Sequence, residues 1–171
     1  NAFLRERLKL EPKDSSQKLL LANVVGAGSG FGQETFVINK GSSNGLKGGE
    51  AVIMSPNIFI GVVYKVLTDH AILRLIFDSS FGVNAKTDKG TTGIVKGGPG
   101  RALLFDEVSQ TSKLTMGDVV LTDNREEEIP ADIPIGRIQT LLSSPTDIFQ
   151  RADLQPLFDP GAINEVFIIL R

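Results

Sequence analysis

His70 is the only histidine in this 171-residue chain. With Asp78 and several serines it raises the question of a hydrolase triad, in which histidine takes the serine proton, an acid orients the ring, and backbone N–H groups at a glycine-flanked turn hold the oxyanion. In a two-barrel enzyme of the chymotrypsin type the chain order is His, Asp, Ser. Here the glycine-flanked serines, Ser29 and Ser42, both precede His70, and the later Ser109, Ser112, Ser143 and Ser144 have no adjacent glycine. Order and local chemistry both fail, and Thr68-Asp69-His70 reads as an exposed turn between two strands.

Other chemistries fare no better. The stretch Val24-Val-Gly-Ala-Gly-Ser-Gly-Phe-Gly32 is rich in glycine, but a dinucleotide fingerprint starting at Gly26 and Gly28 requires glycine where Phe31 stands, followed by a helix. Gln33 to Asn39 reads as a strand, so the stretch is expected to be a flexible inter-strand loop. The run Glu126-Glu-Glu128 reads as a solvated loop rather than a glycosidase pair. One histidine, no cysteine and no acidic residues at EF-hand spacing leave no metal constellation. We therefore expect no catalytic, cofactor-binding or metal-binding residues.

The composition calls for a packed fold. Apolar residues make up 41% and charged residues 22%, and the net charge is −2 with lysines and arginines scattered among acids. A surface that displaces counterions from a polyphosphate needs those cations clustered, so nucleic acid is excluded as a partner. The longest apolar run, Val166 to Leu170, is far short of the ~20 residues of a membrane helix.

The opening segment, with Phe3, Leu4 and Leu8 among alternating charges, reads as the end of a helix stopped by Pro12; Asn1, Leu4 and Leu8 fall at a, d, a of a heptad. Ten residues are too few for an isolated helix in water, where about 12–15 is already marginal. The expectation is a coiled coil that continues upstream, ending at residue 11, with 12–18 as linker. From Leu19 on, short runs rich in Val, Ile and Phe alternate with turn residues. Strands are predicted at Leu19–Val25, Glu34–Asn39, Ala51–Met54, Ile58–Val66, Ile72–Phe77, Val83–Thr87, Thr92–Val95, Ala102–Phe105, Val119–Thr122, Ile135–Leu141, Phe149–Gln155 and Val166–Leu170.

An internal repeat organises them. Leu46-Lys-Gly-Gly-Glu-Ala-Val-Ile-Met54 resembles Leu114-Thr-Met-Gly-Asp-Val-Val-Leu-Thr122, and Ile58-Phe-Ile-Gly-Val-Val-Tyr-Lys-Val66 resembles Ile133-Pro-Ile-Gly-Arg-Ile-Gln-Thr-Leu141. The offset is 68 residues between Gly49 and Gly117 and 75 between Gly61 and Gly136; the difference falls in the acidic stretch Asp123–Asp132, where an insertion is tolerated. Gly49, Gly61, Gly117 and Gly136 are read as structural turn glycines. The fold is all-β: two small related, mostly six-stranded β-barrels, residues 19–80 and 81–162. Whether residues 163–170 return to the first barrel or join the second is left open.

The residues of the repeat also carry a family likeness. Thr35-Phe-Val-Ile-Asn-Lys-Gly-Ser-Ser-Asn-Gly-Leu-Lys-Gly-Gly-Glu-Ala-Val-Ile53, Ile60-Gly-Val-Val63, Asp78-Ser-Ser80, Thr92-Gly-Ile-Val-Lys-Gly97, Gly117-Asp-Val-Val-Leu-Thr122, Pro134-Ile-Gly-Arg-Ile138 and Asn164-Glu-Val-Phe-Ile-Ile-Leu170 resemble, in order, the blocks of the MreC family of rod-shape-determining proteins. The acidic loop, Leu157 and Phe158 depart from that pattern. The resemblance implies a non-catalytic scaffold in cell-shape maintenance, on the extracytoplasmic (periplasmic) side of the membrane and anchored by an upstream helix. It implies self-association through the coiled coil (Phe3, Leu4, Leu8), with penicillin-binding proteins and MreD as further partners. The alternative is a peptidoglycan- or carbohydrate-binding module, for which Phe31, Phe59 and Phe81 would have to share one exposed face.

Overall fold

The computed structural model describes residues 18–30, 33–98, 102–123, 129–142 and 144–170. Its strands are β1 (Lys18–Gly30), β2 (Gln33–Ile38), β3 (Ala51–Met54), β4 (Ile58–Val66), β5 (Ala71–Leu75), β6 (Gly82–Thr87), β7 (Thr92–Gly98), β8 (Ala102–Ser109), β9 (Val119–Thr122), β10 (Pro134–Leu141), β11 (Phe149–Pro156) and β12 (Glu165–Leu170). Among the described residues there is no α-helix, only 3₁₀ turns at Ser42–Asn44 and Pro160–Ala162. The expected coiled-coil end at 1–11, with Phe3, Leu4 and Leu8, lies outside the described residues, as does the linker up to 17.

All twelve expected strands are present, and three differences are informative. The glycine-rich stretch expected to be a flexible loop is instead the far half of β1: Gly26 to Gly30 pair with β2 from Val37 down to Gln33. Ladder hydrogen bonds use only the backbone, so pairing with β2 overrides glycine's poor β propensity. Lys18, assigned to the linker, opens β1 opposite Leu170. The fifth strand stops at Leu75, and Ile76 and Phe77 are buried in the turn that follows it.

The strands close into two six-stranded barrels. Around the first the order is β1-β12-β3-β4-β5-β2, and around the second β10-β11-β8-β7-β6-β9. Begun at β3 and β9, the circuits read β3-β4-β5-β2-β1-β12 and β9-β10-β11-β8-β7-β6. The two barrels thus share one arrangement, in which β12 occupies the place that β6 occupies in the second. The second barrel uses six consecutive strands. The first borrows its closing strand from the far end of the chain, so the second barrel is an insertion between β5 and β12. A core runs through both, from Ile38, Val52, Phe59, Ile60 and Leu73 to Val95, Leu103, Phe105, Val120 and Ile135.

β12 pairs with β1 from Asn23↔Glu165 to Lys18↔Leu170, and with β3 at Phe167↔Ile53 and Ile168↔Val52. Val166, Phe167, Ile168 and Ile169 are all buried. Successive strand side chains point to opposite faces, so both faces of β12 are covered. Burying each such side chain stabilises by roughly 1.5–3 kcal/mol, and four together rival the whole stability of a domain, about 5–15 kcal/mol. A chain ending after Ile163 should therefore lose amide-exchange protection throughout β1–β5 while β6–β11 stay protected. Unchanged protection in β1–β5 would show that β12 is not needed for closure.

Candidate functional site

The repeated Gly-acid pairs resolve into one hairpin used twice. Leu46 and Leu114 anchor each turn in the core. Gly49 and Gly117 follow with φ of 87° and 91°, a left-handed conformation that a side chain would strain. Gly49 N–H donates to Val63 O at 2.8 Å and Val63 N–H to Glu50 O at 2.9 Å; the second copy repeats both bonds, Gly117 to Ile138 at 2.8 Å and Ile138 to Asp118 at 2.9 Å.

The acids, both buried, hold the turn itself. Glu50 accepts from the N–H groups of Lys47 and Gly48, each at 2.7 Å. Asp118, one methylene shorter, accepts from Thr115 N–H at 3.1 Å and meets Lys89 Nζ at 2.9 Å. That hydrogen bond and the carboxylate charge raise the Lys89 ammonium above its ordinary value.

Gly61 and Gly136, grouped above with the turn glycines, are not in turns; they lie inside β4 and β10. A Cβ on Gly61 would stand 2.2 Å from Arg74 O, and one on Gly136 2.8 Å from Gln155 O. Both face a neighbouring backbone too close for any side chain. Register shifts fall at the same place in each copy: Val52↔Gly61 is followed by Ile53↔Phe59, and Val120↔Gly136 by Leu121↔Pro134.

The residues weighed for a triad are otherwise employed. His70 lies in a turn closed by Leu67 N–H to His70 O at 2.8 Å, its half-exposed ring 2.8 Å from Asp69 Oδ1. The hydrogen bond and charge of His70 lower the Asp69 pKa. Ser42 and Ser43 donate their N–H groups to Leu67 O and Thr68 O, which sets the 3₁₀ turn beside the His70 turn, but the acid at the ring is its chain neighbour. Asp78 is buried. Its Oδ1 accepts from Ser80 N–H at 2.9 Å and Ser80 Oγ at 2.6 Å, and its Oδ2 from Glu34 N–H at 3.0 Å. Burial disfavours its charged form, but the bonds from Ser80 and Glu34, together with the nearby Arg74 guanidinium, outweigh that and lower its pKa. The side chain of Ser29 lies outside the described residues.

The aromatic face needed for glycan stacking is not formed as expected. Phe59 is fully buried and Phe81 nearly so, their rings 6.0 Å apart. Burial follows from their positions: Phe59 sits in β4 at the bulge, and Phe81 enters the second barrel. Phe31 lies outside the described residues.

Exposed apolar surface gathers elsewhere. Among the described residues Leu141, Leu142, Ile148 and Phe149 stand out at the β10–β11 end of the second barrel, with Ile148 at 85% exposure. The loop that presents them is pinned. Gln110 Nε2 donates to Ser144 O and Asp147 O, Asp147 Oδ2 accepts from Ser144 N–H at 2.7 Å, and Gln150 Nε2 reaches Ser109 O. Phe149 also lines a shallow groove of about 210 Å³ with Asn84, Thr92, Gly93, Ile94 and Glu107. Sequence reasoning missed this ridge because Phe149 reads as the start of a strand. The signal present was an apolar pair, Ile148-Phe149, directly after the polar Ser143-Ser-Pro-Thr-Asp147. Among the described residues no group of three or more His, Cys, Asp or Glu is placed to hold a metal ion.

The family model described as "Rod shape-determining protein MreC, barrel core" matches residues 24–170. Among solved structures, one described as MreC is 20% identical, with a TM-score of 0.82 over 99% of this chain and 97% of that one. The major periplasmic domain of the cell shape-determining filament MreC is 20% identical, with a TM-score of 0.80 over 92% of this chain and 98% of that one. A chain from the complex between Penicillin-Binding Protein (PBP2) and MreC of Helicobacter pylori is 14% identical, with a TM-score of 0.74 over 91% of this chain and 99% of that one. No curated protein sequence matches at a significant level.

Removing the Glu50 carboxylate strands two turn amides, so Glu50→Ala should lower stability by about 2–3 kcal/mol in urea unfolding followed by circular dichroism. Gly61→Ala should cost at least about 2 kcal/mol, while Gly82→Ala, whose Cβ would meet only Ile94 Cγ2 at 3.9 Å, should be near neutral. Asp78 has a folded-state pKa below its ordinary 3.8. Its contribution is thus full above that value and lost as pH falls through the folded pKa. The stability gap between the natural chain and Asp78→Asn should be constant near neutrality and shrink below about pH 3.8; a gap independent of pH would show that the Asp78 charge does not hold the loop.

Proposed function

The chain belongs to the MreC family of rod shape-determining proteins, and from that premise we propose that it is a non-catalytic scaffold in cell-shape maintenance that holds a peptidoglycan synthase of the penicillin-binding class. The observation that carries this reading is the family match across both barrels, joined to a structural neighbour whose description is a complex with PBP2. The buried acids and His70 engaged in turns fit a protein that binds rather than reacts. Contact with MreD, anchoring by an upstream helix, and a place on the periplasmic face of the membrane belong to the same proposal, the last supported by likeness to a periplasmic domain.

The surface we assign to the synthase is the ridge of Leu141, Leu142, Ile148 and Phe149. Large apolar side chains gathered on one part of a protein surface mark contact sites, and ridges held rigid in advance lose little entropy on docking. Ile148→Asp combined with Phe149→Ser should weaken binding to a purified penicillin-binding protein of the elongation machinery at least tenfold, with unchanged circular dichroism. If the unsubstituted chain binds no such protein, the scaffold reading fails; if it binds and the double variant binds equally, the ridge is not the site.

Self-association through Phe3, Leu4 and Leu8 is supported by their helical spacing. In sedimentation velocity, a chain carrying its upstream helix should dimerise, and Leu4→Asp with Leu8→Asp should return it to monomer.

A further inference from the structure

Two chain segments join the barrels, 76–81 leading out and 157–164 leading back. The outward segment is bound to the first barrel at several points. Ile76 N–H donates to Ile60 O at 3.0 Å, Asp78 Oδ2 accepts the Glu34 N–H in β2, and the Phe81 ring packs at a tilt against Phe59 of β4. Ile76, Phe77, Asp78 and Phe81 are all buried. The return segment is bound to the outward one: the ring of Phe158 lies 5.4 Å from that of Phe77.

The second barrel meets the same segment closely at Gly97. A Cβ on Gly97, in β7, would stand 2.2 Å from Asp78 O and 2.6 and 2.7 Å from Phe77 C and O. Backbone lies on backbone there, with room for a hydrogen and nothing larger.

Domains joined by exposed linkers are expected to move relative to each other. Here the outward linker buries Ile76, Phe77, Asp78 and Phe81, the return linker lays Phe158 against it, and close-packed contacts do not deform gradually. We propose that the crossing is a rigid clamp, with Asp78 fastening it to the first barrel and Gly97 seating it on the second, so that the two barrels turn as one body. Whatever sits on the second barrel is then held at a fixed angle to the first.

The chain has no cysteine, so spin labels can be placed at the exposed Lys65 and Lys113 through cysteine substitutions without background. Pulsed electron–electron resonance should give one narrow distance distribution in the otherwise natural chain. Gly97→Leu should broaden or displace it while circular dichroism stays that of a β protein. Phe158→Ala, which removes the ring contact with Phe77 and leaves every strand intact, should broaden it too, and it decides the matter alone if the glycine variant does not fold. A broad distribution in the unsubstituted chain, or a narrow one unmoved by these substitutions, would overturn the clamp. The measurement reads the chain by itself, so it is separate from whether a penicillin-binding protein is the partner.

Discussion

A sheet of six short strands has two raw edges, and each edge is a row of unpaired N–H and C=O groups that invites the wrong partner. Closure removes both. Most features of this chain answer that one requirement. Gly61 and Gly136 let neighbouring backbones approach where the wall bends, and the register shifts beside them supply the bend. The buried Glu50 and Asp118 hold the turns that lead into β3 and β9, the strands against which β12 and β6 must pair. Closure of the first barrel waits on a strand drawn from the other end of the chain.

That requirement also explains which chemistry is present and which is spent. A buried carboxylate is costly unless its oxygens are occupied. Here Glu50, Asp118 and Asp78 all accept from backbone amides. Such acids resemble catalytic groups in a bare sequence, since burial and charge are common to both. Their hydrogen bonds separate them: Glu50 and Asp118 are taken up by their own turns, and Asp78 by Ser80 and by Glu34 of β2. The exposed ridge of Leu141, Leu142, Ile148 and Phe149, by contrast, is held in place by polar anchors.

The strand pattern and the repeat were legible because both are written in local periodicity: apolar runs of strand length, glycine at fixed offsets, an acid after each turn glycine. The 68- and 75-residue offsets reappear as matched hydrogen bonds at Gly49 and Gly117 and matched register at Gly61 and Gly136. What was not legible depends on pairing at a distance. Gly26 to Gly30 look like a loop until β2 lies beside them. Phe59 and Phe81 look like surface aromatics until the fold buries them against each other. Ile148 looks like the approach to a strand until the Gln110 and Asp147 bonds hold it outward. The place of β12 was undecidable for the same reason, since no local signal says which barrel lacks a strand.

The nesting of one barrel inside the other sets an order in time. A chain that leaves the ribosome N-terminus first produces β1 to β5 and then about 90 further residues before β12 emerges, at about 5–20 residues per second a delay of roughly 5–20 s. During that interval the second barrel, whose six strands are consecutive, can be completed, while the earlier-made strands stand open at β1 and β3. The barrel whose strands are made first is thus the last to be finished, and a holding chaperone would have most to protect there.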